Sequence, residues 1–356
     1  MPITTSNLRV TKMQPLVSPA DLIAEMPVTQ ASALTVQGGR EAIQSILRGD
    51  DNRLIAIVGP CSIHDPKAAM DYARRLNALR VELADHLEIV MRVYFEKPRT
   101  IGGWKGLVND PDLDGSFKIN DGLRTARDLV ARITEMGLPV ATEFLDTAVP
   151  QYLADLVSWA AIGARTTESQ IHREMVSGLS CPVGFKNGTR GNVQIAVDAV
   201  RSAAQQHHFM GLTDDGKAAI VATSGNPDCH VVLRGGAGTN YDEASVDGAS
   251  DTCERGGLRP ALMIDASHAN SGKDPEVQPE VLDYIGRQIA RGDHRITGVM
   301  VESNLVGGKQ ALGKGPLVYG QSITDGCLSW EPTVQAMRAL ARDVAARAQS
   351  RLAIAV

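Results

Sequence analysis

Six lysine and arginine side chains in this sequence are spaced so that they could bind anions together. Each follows a short apolar run, at the point where polar residues begin. The six residues are Arg92, Lys97, Arg99, Arg165, Lys186 and Arg234. If one fold brought them together, their positive charges would repel one another strongly in the absence of anions. Guanidinium groups match the oxygens of phosphate and carboxylate groups, so the pattern predicts polyanionic substrates.

A second group combines a thiol, an imidazole and two carboxylates. Its members are Cys61, His268, Glu302 and Asp325, which lie far apart in the sequence. This mixture of donors suits a divalent transition ion such as Mn, Fe, Co or Zn. No short ligand motif joins the four residues. Each alone fits a structural role equally well, because a lone cysteine is usually a small buried hydrophobe.

The apolar runs that precede both groups indicate parallel strands. There are eight runs, rich in β-branched residues, and helical stretches separate them; they span residues 54–62, 88–100, 139–146, 160–169, 181–188, 230–236, 261–270 and 296–305. Nearly continuous apolar strands are typical of a sheet that helices cover on both faces. Eight such units favour a closed (β/α)8 TIM barrel over an open sheet. Active sites of these barrels lie at the carboxyl ends of the strands, where both groups fall.

Two segments depart from the repeating pattern. Residues 1–50 are interpreted as an N-terminal arm for assembly or regulation, ahead of a catalytic barrel at 51–356. Between the fifth and sixth strands, residues 207–224 contain two β-prone pieces around the turn sequence DDGK. This arrangement predicts an inserted β-hairpin. An insertion of this kind is expected to serve assembly or regulation.

Composition makes several classes of protein improbable. Hydrophobic residues account for 43% and charged residues for 22%, as in a globular protein with a large core. The net charge of −5 gives no electrostatic case for a nucleic-acid or membrane-surface partner. No apolar run has the length of a signal peptide core or a membrane span. The five scattered cysteines suit a reducing compartment, so we expect a cytoplasmic protein.

Long uninterrupted strings at the predicted strand ends resemble the type I 3-deoxy-D-arabino-heptulosonate 7-phosphate (DAHP) synthases of the aromatic-amino-acid-regulated class. The strings are GPCSIHD, MRVYFEKPRT, GWKGL, GARTTESQIHRE, PVGFKNGT, LRGG, SHAN, GVMVESNL and SITDGC. The resemblance covers about residues 50–335. It implies condensation of phosphoenolpyruvate with erythrose 4-phosphate and water, giving DAHP and inorganic phosphate in the shikimate pathway. It also implies one divalent metal ion, a homodimer or homotetramer, and inhibition by an aromatic amino acid.

The resemblance also implies a role for each matched residue. The metal ligands fall on Cys61, His268, Glu302 and Asp325. The phosphoenolpyruvate contacts fall on Arg92, Lys97, Glu143, Arg165, Lys186 and Arg234. The aldose-phosphate contacts fall on Lys97, Arg99, Thr100 and Asp325. Lys97, Glu143 and Lys186 are the implied catalytic groups, with Lys97 protonating the developing alkoxide and Glu143 orienting or deprotonating the attacking water.

An effector pocket is implied at the hairpin and the N-terminal arm of a neighbouring subunit. Its matching positions are Asp146, Pro150, Gln151, Leu179, Ser180, Phe209, Gly211 and Val221. Pro150 resembles phenylalanine- or tyrosine-regulated members, whereas tryptophan-regulated members tend to have glycine there. Gly211 lacks the serine side chain of phenylalanine-regulated members and could admit a ring hydroxyl. We therefore expect tyrosine as the effector, in preference to phenylalanine.

Three alternatives remain open. A related synthase joins phosphoenolpyruvate to arabinose 5-phosphate and shares the barrel and the GPC string, although the KPRT string and the GGWKG loop favour the four-carbon aldose. A metal-dependent pyruvate aldolase would release no inorganic phosphate. A non-catalytic barrel that only binds aromatic amino acids would have a damaged site, and none of the matched residues is altered.

Overall fold

The computed structural model describes residues 5–354, and its central feature is a closed barrel of parallel strands. In chain order the strands are β1 (Leu54–Gly59), β2 (Leu87–Arg92), β3 (Val140–Glu143), β4 (Trp159–Ile162), β5 (Val183–Lys186), β6 (His208–Leu212), β7 (Ala218–Ala222), β8 (Cys229–Leu233), β9 (Leu262–Asp265), β10 (Ile296–Glu302), β11 (Val306–Lys309) and β12 (Gln321–Ser322). The α-helices are α1 (Pro19–Glu25), α2 (Gln30–Arg48), α3 (Pro66–Glu82), α4 (Ile119–Glu135), α5 (Pro150–Leu153), α6 (Gln170–Ser177), α7 (Gln194–Ala203), α8 (Glu243–Arg255), α9 (Gln278–Ala290) and α10 (Trp330–Ile354).

The barrel closes between its first and last strands. Around the barrel the order is β1-β10-β9-β8-β5-β4-β3-β2, and each neighbouring pair is parallel. The closing pair aligns Ile55 of β1 with Gly298 of β10. The predicted (β/α)8 barrel is confirmed. Its last strand is followed by a short parallel pair, β11 and β12, which the sequence did not predict.

Local sequence explains where the barrel helices begin. Asp65 caps α3 by accepting hydrogen bonds from the backbone N–H groups of Lys67 and Ala68, and Pro66 occupies the first turn. A short acidic side chain followed by proline is a favourable helix start, because proline needs no hydrogen-bond partner there. The helices then cover the outer face of the strands, whose residues are almost all buried.

Helix α2, in the predicted N-terminal arm, packs against the barrel interior. Its side chains Ile43, Ile46 and Leu47 form one apolar cluster with Ile55 and Trp159 of the strands. Side chains alternate between the two faces of a strand, so the strand members of this cluster point inward. Helix α2 therefore covers the amino-terminal end of the barrel and leaves the carboxyl end available for a site.

The inserted hairpin is confirmed between the fifth and sixth barrel strands. Strands β6 and β7 pair in antiparallel register around a turn at Gly216, whose φ of +75° suits glycine. The turn also contacts the N-terminal segment, because the N–H of Ala20 donates to the carbonyl of Asp214 at 2.8 Å. Met210 and Ile220 extend outward and are exposed. Within residues 5–354, no helix combines the length and apolar character of a membrane span.

Candidate active site and metal centre

A cavity of about 390 Å³ opens among the segments that follow the barrel strands. Nine residues predicted for the site line it: Lys97, Arg99, Thr100, Glu143, Arg165, Lys186, Arg234, His268 and Asp325. Glu143 and Lys186 are the last residues of β3 and β5, and Arg234 directly follows β8. The barrel thus brings together five of the six predicted cations. Thr166, Thr189 and Lys273 also line the cavity, and sequence reasoning did not identify them.

Three of the four predicted metal ligands meet beside this cavity. Cys61, Glu302 and Asp325 each offer one ligand atom, and these atoms all lie within 4.8 Å of one another. Cys61 follows β1, Glu302 ends β10, and Asp325 follows β12. His268 is outside this group of three, although it lines the cavity together with Asp325. Its ring Nδ1 lies 2.8 Å from the Asp265 carboxylate.

The surroundings of Cys61 suit a metal-bound thiolate. Its Sγ lies 3.2 Å from the Lys97 ammonium nitrogen and 3.9 Å from an Asp325 carboxylate oxygen. Burial raises the pKa of the Cys61 thiol, and the nearby Glu302 charge raises it further, whereas Lys97 lowers it. A bound divalent ion would reverse this balance by binding the thiolate directly. Sulfur and carboxylate donors at this separation fit a divalent transition ion.

Asp325 remains readily ionised at the edge of the cavity. Burial opposes its charge, but interactions with Lys97, His268 and Lys273 outweigh that effect and hold the pKa of Asp325 below its usual value. A carboxylate ligand must be deprotonated to bind a metal ion. The Asp325 carboxylate is therefore available both to a metal ion and to a molecule bound in the cavity.

The sixth predicted cation, Arg92, lies beneath the metal ligands. Its side chain is fully buried, with Nη2 2.9 Å from Glu302 and Nε donating to the carbonyl of Pro60 at 3.0 Å. The guanidinium carbon also lies 3.6 Å from the centre of the Tyr94 ring. In this arrangement Arg92 neutralises Glu302 and supports the backbone next to Cys61. A substrate anion would have to compete with these partners to bind it.

A network around Asp265 was not predicted. This residue ends β9 and is fully buried, with Oδ2 2.8 Å from Lys186 Nζ and 2.8 Å from His268 Nδ1. Burial opposes its charge, but His268 and Lys186 outweigh that effect and hold the pKa of Asp265 well below its ordinary value. The available sequence signal was an aspartate at the end of an apolar run, three residues before His268.

The carboxylate of Glu143 lies close to Gly163, which directly follows β4. A Cβ atom added to Gly163 would lie 2.3 Å from Glu143 Oε1, so the carboxylate can keep this position only beside a glycine. Nearby, Arg165 Nη1 donates to the carbonyl of Pro98 at 2.9 Å. This bond ties the loop that follows β4 to the KPRT segment. The two loops therefore form one connected wall of the cavity.

Comparison with known proteins identifies the family. A sequence profile described as the DAHP synthetase I family matches residues 25–338. The chain belongs to this family. The match includes all eight barrel strands, the inserted hairpin and all the residues predicted for the site.

Individual members of the DAHP synthetase I family match almost end to end. The Phe-sensitive phospho-2-dehydro-3-deoxyheptonate aldolase of Escherichia coli is 56% identical over 342 residues, covering 96% of this chain and 98% of that protein. The Tyr-sensitive aldolase of Salmonella typhimurium is 50% identical over 350 residues, covering 98% of each. The solved phospho-2-dehydro-3-deoxyheptonate aldolase from Francisella tularensis has a TM-score of 0.94 at 50% identity, covering 95% of this chain and 99% of that one.

The eight positions expected to bind an effector in this DAHP synthetase I chain fall in three places. Asp146, Pro150 and Gln151 lie before and within α5, and Leu179 and Ser180 follow α6. The remaining three, Phe209, Gly211 and Val221, are in the hairpin.

Within the hairpin, Phe209 is paired with Val221. A Cβ atom on Gly211 would lie 2.7 Å from Val221 Cγ2, so valine already occupies the space beside this glycine. The hairpin is joined to the end of α6 by a 2.6 Å hydrogen bond between the hydroxyls of Ser177 and Thr223.

Proposed function

We propose that this protein condenses phosphoenolpyruvate with D-erythrose 4-phosphate and water to give DAHP and inorganic phosphate. The proposal rests mainly on one observation. A cavity lined by cations lies directly beside the cluster of Cys61, Glu302 and Asp325. Two phosphorylated substrates need such a concentration of positive charge, and carbonyl chemistry benefits from a neighbouring ion. Membership of the DAHP synthetase I family supports the same reaction.

Different residues around the cavity bind the two substrates. Arg165, Lys186 and Arg234 hold the phosphate and carboxylate of phosphoenolpyruvate, with a contribution from Arg92 beneath. Arg99 and Thr100, the exposed residues of the KPRT segment, hold the phosphate of the aldose. Fixing both anions brings C3 of the enol close to the aldehyde carbon, which removes much of the entropic cost of reaction.

Lys97 and Glu143 then transfer protons, and Lys186 stabilises the leaving group. A divalent ion held by Cys61, His268, Glu302 and Asp325 would supply Lewis-acid polarisation of the aldehyde. As C3 attacks the aldehyde carbon, the carbonyl oxygen takes a proton from the Lys97 ammonium group. Glu143 orients and deprotonates the water that adds at C2. The C2–O bond to phosphate then breaks as the new C2 hydroxyl becomes the keto group, and its proton leaves with the phosphate. Lys186 balances the remaining negative charge of the departing phosphate.

Substrate choice tests the proposal directly. Purified protein with Mn²⁺ is supplied with phosphoenolpyruvate and either erythrose 4-phosphate, arabinose 5-phosphate or no aldose, and inorganic phosphate is measured. We expect phosphate release and a seven-carbon product with erythrose 4-phosphate alone. Preference for arabinose 5-phosphate would indicate the related synthase. Condensation without phosphate release would indicate a pyruvate aldolase, and binding without turnover a sensor.

Regulation is proposed for the hairpin side of the barrel. Tyrosine is favoured as the effector, because Pro150 and Gly211 match that class better than the tryptophan- or phenylalanine-regulated classes. The relatives above include both Phe-sensitive and Tyr-sensitive proteins, so an inhibition panel with all three aromatic amino acids is required. Inhibition by phenylalanine or tryptophan alone would contradict the choice of tyrosine.

Assembly and location complete the proposal. The exposed Met210 and Ile220 of the hairpin suit a homodimer or homotetramer, which light scattering of the purified protein would measure. The five cysteines are all free thiols, which suits the reducing cytoplasm.

A further inference from the structure

The carboxylate of Asp265 joins two groups that belong to different parts of the site. Its Oδ2 lies 2.8 Å from Lys186 Nζ and 2.8 Å from His268 Nδ1. Its Oδ1 accepts hydrogen bonds from the backbone N–H of Ser267 at 3.0 Å and from the Ser267 hydroxyl at 2.6 Å. The side chains of Asp265 and Lys186 are 0% and 4% exposed, so water screens their interaction little.

The contact with His268 decides which ring nitrogen can bind an ion. His268 Nδ1 lies 2.8 Å from the buried carboxylate and 2.7 Å from Ser267 Oγ. Because the Ser267 hydroxyl donates its one hydrogen to Asp265 Oδ1, both neighbours of Nδ1 are acceptors, and Nδ1 carries the hydrogen. The Nε2 lone pair then remains for a metal ion. Carboxylates that hold a histidine ligand in this way fix its tautomer and its ring orientation, and they increase its basicity.

The backbone around His268 is also in an uncommon conformation. His268 has a φ of +58° and Lys273 a φ of +67°, both in the left-handed region that non-glycine residues seldom occupy. The loop between them is closed by a 2.7 Å hydrogen bond from the N–H of Lys273 to the carbonyl of His268. Such strain persists where surrounding contacts hold the residue firmly, and Asp265 supplies one such contact.

We propose that Asp265 is a positioning residue that aligns both the metal ligand His268 and the substrate-binding Lys186 through one carboxylate oxygen. The inference rests on the proposed function and adds a residue to it. Loss of the carboxylate charge should therefore weaken two kinds of binding together, that of the divalent ion and that of phosphoenolpyruvate. A carboxylate with a merely structural role would change stability and leave both affinities as they were.

The substitution Asp265→Asn tests this, because it keeps the size of the side chain and removes the charge. We expect the dissociation constant for Mn²⁺, measured by competition with a fluorescent chelator, to rise about 10- to 100-fold. The KM for phosphoenolpyruvate should rise about tenfold, the size of effect expected when a charged hydrogen bond is lost, while the KM for erythrose 4-phosphate changes less than about twofold. Unchanged affinity for both Mn²⁺ and phosphoenolpyruvate in the folded variant would overturn the proposal.

Glu88→Gln is the matched control. Glu88 is also a buried carboxylate in an ion pair, with Arg53, but it aligns with Ile55 at the amino-terminal half of β1, away from the cavity. The substitution should lower the thermal stability and leave the affinities for Mn²⁺ and phosphoenolpyruvate unchanged. An equal loss of Mn²⁺ and phosphoenolpyruvate binding in Glu88→Gln would show a general effect of removing a buried charge, and would contradict a specific role for Asp265.

Ser267→Ala covers the case in which Asp265→Asn does not fold. It keeps the aspartate and removes two hydroxyl contacts, one of 2.6 Å to Asp265 Oδ1 and one of 2.7 Å to His268 Nδ1, so we expect both affinities to weaken a few-fold together. Because the hydroxyl also contacts His268 directly, the affinity for phosphoenolpyruvate is the one that reports on Asp265. An affinity for phosphoenolpyruvate equal to that of the unchanged protein would oppose the proposal. Calorimetry measures the binding of phosphoenolpyruvate without turnover, so it tests the role of Asp265 independently of the reaction. If the unchanged protein binds Mn²⁺ and phosphoenolpyruvate but forms no product, the proposed function fails and the binding test of Asp265 still stands.

Discussion

The Lys97 ammonium nitrogen lies 3.2 Å from the sulfur of Cys61, and both side chains are buried. This contact places a proton donor of the cavity directly beside a thiol of the metal cluster. Nearby Cys61 and Glu302 charges raise the pKa of Lys97 against the opposing effect of burial, so the amine remains protonated. The same ammonium favours the thiolate form of Cys61.

Replacing Lys97 by methionine should therefore affect catalysis more than metal content. The variant keeps the length of the side chain but loses the proton, so we expect kcat to fall about 100-fold or more. Bound Mn²⁺ should stay near one ion per chain, as measured by elemental analysis. Lys67→Met, on an exposed turn of α3, is the control and should retain full activity. Normal kcat in Lys97→Met would exclude its role as the proton donor.

Removal of the Cys61 thiol should separate metal binding from folding. We expect Cys61→Ala to lose most of its affinity for Mn²⁺ and its activity, while circular dichroism stays unchanged. The small buried cavity that remains should cost only about 1 kcal/mol of unfolding free energy. Cys253→Ala, also buried but remote from the cluster, should keep both ion and activity. A Cys61→Ala variant with normal ion content and rate would remove Cys61 from the ligand set.

Gly163→Ala should displace Glu143 without removing it. The added Cβ would come within 2.3 Å of the carboxylate, which must then move away from the water it orients. A displacement of about 1 Å at a reacting group costs about 100-fold in rate, so we expect a comparable loss of kcat. Gly238→Ala is the control, because no atom lies within 4 Å of its added Cβ. Equal kcat values for the two variants would contradict a catalytic position for Glu143.

His230 should make the stability of the barrel depend on pH. Burial lowers its pKa to about 4 from a usual value of 6.5, and Trp159 Nε1 donates to His230 Nε2 at 2.9 Å, which requires a neutral ring. The unfolded chain binds this proton below about pH 6.5, and the folded chain does so only near pH 4. Stability is thus present above pH 6.5 and lost as the pH falls toward 4, by roughly 3 kcal/mol.

Urea unfolding at several pH values measures this loss. His230→Gln keeps a hydrogen-bond acceptor for Trp159 but cannot titrate, so its unfolding free energy should fall less than that of the unchanged protein between pH 6.5 and 4. Parallel pH profiles for the two proteins would show that His230 is protonated equally in the folded and unfolded states.

Gly211→Ser should change the effector preference while the uninhibited rate stays constant. The new side chain would crowd Val221 Cγ2, which belongs to the same proposed pocket, and would change the space available to the tyrosine ring. We expect the tyrosine concentration for half-inhibition to rise about tenfold, a loss typical of one obstructed polar group. Gly238→Ser is the matched control. Unaltered inhibition by tyrosine would remove Gly211 from the effector pocket.

The barrel and its hairpin could be predicted because their signals are local. Each apolar run is continuous enough to indicate a buried parallel strand, and the DDGK turn indicates the hairpin. The start of α2 at Gln30 was less apparent, since its side chains become part of the core only against the strands. The pairing of β11 with β12 joins a short glycine-containing strand to a strand of only two residues, and neither has a recognisable strand pattern.

The site was predictable to the extent that strand ends identify it. Five of the predicted cations line one cavity, and three of the four residues predicted as metal ligands lie together beside it, as their placement after the strands suggested. The position of Arg92 beneath Glu302 could not be foreseen, because it depends on acceptors from β10 and residues 60–61. The Asp265 network depends on Lys186, which is 79 residues away, so no local pattern could reveal it.

Anomalous scattering at the manganese edge, from a crystal of the protein with Mn²⁺ and phosphoenolpyruvate, would show where the ion and the substrate bind. We expect one strong peak bonded to Cys61, His268, Glu302 and Asp325, with phosphoenolpyruvate in the adjoining cavity against Arg165, Lys186 and Arg234. A manganese peak elsewhere in the fold, with these four side chains unliganded, would contradict this expectation.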